Sequence, residues 1–343
     1  MNEQLQEIDA RILALAQERC RVLSSQIPQR PGSSPFPRTL RESQSEPTSM
    51  EGLDDFGRNL LRYVAGATFL ASVKYQAVAY LGPQFSYSYS AAAKYFGPIA
   101  SLQPVNTIGA VFEEILRGQA AYGVVPIENS TDGRIVDTLN MFIKTPVKIC
   151  GEVLLPIHHN LLATCKRDEI REVYSKPQAL SQCRSWLNNH LPEAKWVEVA
   201  STAAAAKIAA TVPFAAAVAS REAGISLGLD IVAASIEDNQ NNVTRFAILG
   251  NEEVPPTEDD KTSLLFQVPH KPGALADVMV LLRDNGLNLT WIESFPVPGS
   301  TNEYFFFVEL EGHKANANVQ KALTSLSETA FRLDLLGSYP RAR

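Results

Sequence analysis

Gln240-Asn241-Asn242-Val243-Thr244-Arg245-Phe246-Ala247-Ile248-Leu249-Gly250 is a polar run that passes through a hydroxyl, a cation and an aromatic into a short apolar one. The apolar part is short enough to be a buried strand. Thr244 and Arg245 then stand at the mouth of a sheet, where α/β folds collect their ligand groups. Comparable strand-like patches recur at residues 78–81, 122–125, 160–163 and 216–219. Helical runs lie between them, among them the alanine-rich stretch 203–210 behind a Ser201-Thr202 cap. This alternation predicts mainly parallel sheets with crossover helices over residues 77–255.

A third unit opens after Pro255-Pro256. Its pattern reads strand (262–268), helix (273–285), strand (289–295), strand (304–310), helix (317–330) and strand (333–336), a ferredoxin-like β-α-β-β-α-β order. Residues 1–76 read as two helices around a disordered connector. Leu5, Ile8, Ile12, Leu15 and Val22 follow steps of three and four, with Arg19 in the missing seam position. Arg19 snorkels to solvent or caps a partner helix, or else faces a buried anion. Pro28, Pro31, Pro35, Pro37 and Pro47 then exclude helix, and a new one starts at the Thr48-x-x-Glu51 capping box.

The 343 residues, 45% hydrophobic, suit two or three globular domains. No stretch approaches the ~20 apolar residues of a membrane span, and the first residues lack the pattern of a signal peptide, so a cytoplasmic protein is expected. Four scattered cysteines without a C-x-x-C pair read as reduced thiols. The five histidines show no metal-ligand spacing, so no metal is expected. A net charge of −6 argues against a nucleic-acid surface and requires any acidic substrate to be held by local donors.

Three motifs taken in order, Glu128-Asn129-Ser130-Thr131, Thr244-Arg245-Phe246 and Gly273-Ala274-Leu275-Ala276, resemble the prephenate dehydratase family, whose members form phenylpyruvate on the route to phenylalanine. The resemblance runs from about residue 77 to 340. It implies a two-lobed α/β catalytic domain like a periplasmic solute-binding protein, crossing to the second lobe near residue 157 and returning near 238. It also implies that residues 256–343 are a regulatory ACT domain. Ile8 to Leu15 with Glu18-Arg19 resembles the first helix of a chorismate mutase, here expected as a non-catalytic remnant serving dimerisation.

The resemblance implies no cofactor. Prephenate must lose its ring hydroxyl as water and one carboxylate as carbon dioxide, so it needs an acid and carboxylate anchors. Thr244 would be that acid, with Arg245 beside it and Phe246 as apolar wall; taken alone, Thr244 could equally satisfy backbone at a strand entry. Glu128, Asn129, Ser130 and Thr131 would receive a carboxylate, although the same run also reads as an Asx turn with a helix cap. Ser175 and Gln182 match a serine and a glutamine of the family that face the cleft. Ser201 and Thr202 would add donors or simply cap their helix. Cys183 reads as a buried thiol.

Ser86, Tyr87 and Ser88 complete the substrate set. Beside them, Phe85 replaces a family glycine and Tyr89 a histidine, and Phe85 is expected to obstruct the ligand if a positive φ or close approach is needed. In the third unit, Gly273, Ala274 and Leu275, with Asn288, Leu289, Glu293 and Ser294, would sense phenylalanine at a subunit interface of a homodimer or homotetramer. Phe295 stands in place of that motif's arginine. Rival readings are a non-catalytic phenylalanine sensor, an arogenate dehydratase and a bifunctional mutase–dehydratase.

Overall fold

The computed structural model describes residues 77–342 apart from 98, 99, 132, 298 and 301, together with Arg11, Ala14, Leu15, Gln17, Glu18, Arg21 and Val22. Those seven are helical and exposed. Arg19, the proline-rich connector and the helix expected from Thr48 lie outside the described residues.

The first lobe runs β1 (Val78–Leu81), α1 (Tyr87–Phe96), β2 (Leu102–Val105), α2 (Ile108–Leu116), β3 (Tyr122–Asn129), β4 (Gly133–Arg134), α3 (Val136–Lys144) and β5 (Lys148–Pro156). The second runs β6 (Asn160–Ala163), β7 (Glu172–Ser175), α4 (Pro177–Gln182), α5 (Arg184–His190), β8 (Lys195–Glu198), α6 (Thr202–Ala209), β9 (Ala215–Ala219), α7 (Arg221–Leu227) and β10 (Asp230–Ala233). The chain then returns as β11 (Val243–Gly250), giving sheet orders β2-β1-β3-β11-β5, with β4 beside β3, and β10-β6-β9-β7-β8.

Both sheets are mixed, which corrects the mainly parallel expectation. β1 pairs in parallel with β2 and β3, but β11 pairs antiparallel with both β3 and β5. The strand that leaves for the second lobe and the strand that returns from it must run in opposite directions. Pro126 sits inside β3 although it has no N–H to donate. The β3–β11 register shifts between Arg245 and Phe246, and the irregularity absorbs the proline. Glu128 and Asn129 therefore belong to a strand rather than to a loop before a helix.

In the second lobe β9 is built only from alanine and valine, all buried. Small side chains on both partners let Ala205, Ala206 and Ala209 of α6 pack onto Ala217, Ala219 and Leu162. The third unit runs β12 (Asp260–Gln267), α8 (Ala274–Asp284), β13 (Leu289–Pro296), β14 (Tyr304–Glu311), α9 (Ala317–Thr329) and β15 (Arg332–Pro340). Its antiparallel sheet has the order β13-β14-β12-β15. Strand alternation splits it into two faces. Leu264, Phe266, Val308 and Leu310 meet Val278, Leu282, Val319 and Leu326 of the helices.

The opposite face lies on the first lobe. Phe307 packs against Phe142 of α3 with ring centroids 6.2 Å apart, and Arg332 donates to the Ile143 carbonyl at 3.0 Å. Gly337 on β15 approaches the backbone of β5 so closely that an added Cβ would overlap the Ile149 carbonyl oxygen. Backbone on both sides leaves no side chain to move aside. Gly337→Ala should therefore lower the thermal midpoint by about 5 °C or more, since overpacking costs ~1–3 kcal/mol. A melting curve that superposes on the wild type would show that this contact does not hold the two faces together.

Candidate active site

β11 threads between β3 and β5 with Thr244 opposite Asn129 and Arg245 opposite Glu128. Alternation sends Thr244 and Phe246 to one face and Arg245 to the other. The first face opens into a cleft of about 250 Å³ shared by the two lobes. Pro126 and Asn129, three residues apart, both line it because the β3 irregularity inserts an extra residue between them.

A hydrogen-bond chain crosses the cleft. Asn129 Oδ1 accepts from the Thr131 backbone N–H at 2.9 Å, which fixes the orientation of the amide. Its Nδ2 must then donate, to Thr244 Oγ1 at 2.7 Å and to Asn242 Oδ1 at 3.0 Å. Thr244 thus receives a hydrogen bond on oxygen and keeps its own proton for a ligand. Asn242 Nδ2 in turn faces Gln182 Oε1 at 3.4 Å, and His159 Nε2 lies 2.9 Å from the same oxygen. The imidazole therefore carries its proton on Nε2 and offers Nδ1 to the Tyr87 hydroxyl at 2.9 Å. That hydroxyl is also 2.9 Å from the His158 carbonyl oxygen, so its single proton has two acceptors.

Burial lowers the pKa of His159, against smaller opposing contributions from Gln182 and Glu237, so the ring is neutral at neutral pH. Burial likewise raises the Tyr87 phenol and keeps it protonated. Among the described residues that line the cleft there is no Asp or Glu, whereas Lys176 supplies a cation. Two helix starts, from opposite lobes, add backbone donors. Ser86, Tyr87 and Ser88 open α1, and Ser201, whose hydroxyl accepts from the Ala204 N–H at 3.0 Å, caps α6 ahead of Thr202. The arrangement suits an anionic ligand and has a hydroxyl donor in its floor.

Thr244, Phe246, Asn129, Ser86, Tyr87, Ser88, Gln182, Ser201 and Thr202 thus line one cleft. Other expected residues stand outside it. Arg245 faces away from Thr244, and Glu128 accepts its Nε–H at 3.0 Å. The Ser175 hydroxyl is fully buried and donates to the Val218 carbonyl at 2.7 Å, tying β7 to β9. Ser130 accepts from the Val243 N–H at 2.9 Å, and Thr131 acts through Asn129.

Phe85 takes φ 68°, the left-handed conformation a glycine would adopt, and its ring packs against Tyr89 and the alanine cluster of the second lobe. It does not line the cleft, so the expected obstruction is absent. Four polar groups of the cleft, His159, Lys176, Gln178 and Asn242, are not singled out by the sequence.

A smaller cavity of about 140 Å³ lies at the start of α8, lined by His270, Lys271, Ala274, Leu275, Tyr304 and Phe306 among others. Gly273 caps that helix at φ 84°. Asn288, Leu289, Glu293 and Ser294 do not line the cavity. Leu289 packs on the domain core, and Glu293 pairs with Arg134 of the first lobe. Among the described residues, no helix is long and apolar enough to cross a membrane.

A neutral buried imidazole has a pH consequence. The unfolded chain takes up a proton near 6.5, the ordinary value for histidine, and the folded cleft resists that uptake. Stability should accordingly fall as pH drops below that value. An NMR titration should place the His159 midpoint under 6.5. A midpoint at or above that value would show that the ring is solvated and not locked into the chain.

Residues 78–254 match the prephenate dehydratase family, and residues 262–328 match the ACT domain. The bifunctional chorismate mutase/prephenate dehydratase of Aquifex aeolicus is 45% identical over 266 residues, 77% of this chain and 74% of that protein. A prephenate dehydratase of Amycolatopsis methanolica is 34% identical over 269 residues, 77% of this chain and 88% of that one. Among solved structures, the prephenate dehydratase of Arthrobacter aurescens in complex with L-Phe superposes with a TM-score of 0.72 at 32% identity, over 77% of this chain and 90% of that one. The chain belongs to the prephenate dehydratase family and carries an ACT domain.

Proposed function

We propose that this chain, as a carbon–oxygen lyase, converts prephenate to phenylpyruvate, water and carbon dioxide. The observation that carries this reading is the 2.7 Å hydrogen bond from the Asn129 amide to Thr244 Oγ1. It points the threonine proton into the cleft and stabilises the oxygen that gives it up. The departing ring hydroxyl takes that proton and leaves as water, while the electron pair of the breaking carboxylate bond enters the ring. Aromatisation supplies the driving force, so a weak acid held in place suffices. Solvent then returns the proton to Thr244.

Lys176 and the starts of α1 and α6 supply anchors on both sides for a substrate with two carboxylates. The same lining favours prephenate over arogenate, because no described carboxylate faces the cleft to pair with an ammonium group. The cavity lined by Ala274 and Leu275, beside Gly273, supports phenylalanine as the feedback ligand of the ACT domain, and the Arthrobacter aurescens relative is itself a complex with L-Phe.

Phenylpyruvate formation, followed by its ultraviolet absorbance, should fall about 100-fold or more in Thr244→Ala, the usual size of a lost general acid, with partial activity in Thr244→Ser. Wild-type turnover in Thr244→Ala would remove the threonine from its role. Phenylalanine should slow the wild-type enzyme. Gly273→Val, which forces a branched side chain into a left-handed conformation at the cavity, should remove that inhibition while turnover persists. Equal inhibition of both proteins would place the effector elsewhere.

A further inference from the structure

The face of β11 opposite the cleft is not idle. Arg245 Nη1 lies 2.7 Å and 2.8 Å from the two Glu309 carboxylate oxygens on β14 and 3.2 Å from Glu152 on β5. Lys261 on β12 bridges the same pair, at 3.0 Å from Glu152 and 3.4 Å from Glu309. The Arg245 guanidinium also sits 4.6 Å from the centroid of the Trp291 ring on β13. Burial works against its charge, but the carboxylates, Glu309 foremost, outweigh this and raise its pKa.

A second arginine repeats the pattern. Arg134 pairs with Glu293 and lies 5.5 Å from the centroid of Phe295. It sits on β4, where Arg134 faces Glu128 and Gly133 faces Asn129. Trp291, Glu293 and Phe295 occupy alternate positions of β13, so one edge strand of the ACT sheet presents all three to the catalytic lobe. The two arginines it holds belong to the two strands that carry Thr244 and flank Asn129.

We propose that Arg245 is a positioning residue held by the ACT sheet, through which Trp291 and Glu309 set Thr244 at hydrogen-bond distance from Asn129. The ACT sheet then bears on the position of Thr244 in the absence of any effector, although it adds no residue to the lining of the cleft. This rests on the reading of the cleft as the site of prephenate dehydration, and it predicts a loss in the chemical step without a loss in substrate binding. A group that only stabilised the fold would alter the melting temperature and leave turnover by the folded protein unchanged.

The experiment uses the full chain. Trp291 is only partly buried and lies on an edge strand, so its variants should keep the fold, as a melting curve will show. Trp291→Ala should lower kcat about tenfold with KM within about twofold, and Trp291→Phe, which restores an aromatic face, should recover most of the loss. Unchanged kcat in Trp291→Ala, or a change confined to KM, overturns the proposal. A readout without substrate keeps it separate from the functional reading. The Thr244 methyl resonance of the ligand-free protein should shift in Glu309→Gln, which alters no aromatic ring near it. An unmoved methyl resonance overturns the proposal even if the wild type turns prephenate over. Absence of wild-type turnover alongside a shifted resonance overturns the functional reading and leaves the positioning role standing.

Discussion

Everything functional in this chain depends on one geometric constraint, that consecutive residues of a strand face opposite ways. β11 is hydrogen-bonded on both edges, by β3 and β5, so it cannot roll. Thr244 is thereby committed to the cleft and Arg245 to the interface with the ACT sheet. A one-residue slip would bring a guanidinium into the cleft and bury a hydroxyl among carboxylates. The antiparallel fit that makes the sheet mixed is also what fixes the slot.

The chemistry that this slot allows is a neutral one. A carboxylic acid in the cleft would have to stay protonated beside a dianionic substrate, and an ionised one would repel it. A threonine hydroxyl avoids both difficulties, provided something holds its oxygen. Asn129 does so, and its own orientation is set by a backbone N–H that cannot rotate. The same polarity runs outward through Asn242 and Gln182 to His159 in the other lobe, so the two lobes share one hydrogen-bonded floor. Each member is a neutral amide, imidazole or hydroxyl, which leaves the positive end of the cleft to Lys176 and to the two helix starts.

Much of this was legible in the sequence. The order of strand-like and helix-like runs after Pro255-Pro256 located β12 to β15 and their two helices to within a few residues, because that domain is built from short contiguous elements. Thr244 and Asn129, expected through short motifs, both line the cleft. The failures have a common cause. Arg245 stands beside Thr244 in the chain but not in space, and a tripeptide motif hides strand alternation. Ser175 was expected in the cleft, yet its hydroxyl satisfies a carbonyl of a strand 43 residues away. His159 and Asn242 were not singled out because their roles arise only where the residues just ahead of β6 and of β11 meet at Gln182. Phe85 shows the reverse case, a residue disfavoured at positive φ that the packing of its ring against Tyr89 retains there.

The buried cluster around Arg245 is a poor source of stability. Arg245 and Lys261 face Glu128, Glu152 and Glu309, so three carboxylates oppose two cations, and every desolvated member costs free energy that its partners only partly return. Apolar side chains of equal volume would hold the two domains together at least as firmly. They would also tolerate sliding by a fraction of an ångström, since dispersion contacts have no preferred direction. Charge-assisted hydrogen bonds do not tolerate it, because a displaced guanidinium leaves buried carboxylates unpaired. A hydroxyl acid that works by position and not by acidity needs its strand fixed to that tolerance. The cluster therefore makes physical sense as a device for register, placed one residue from the group whose register matters most.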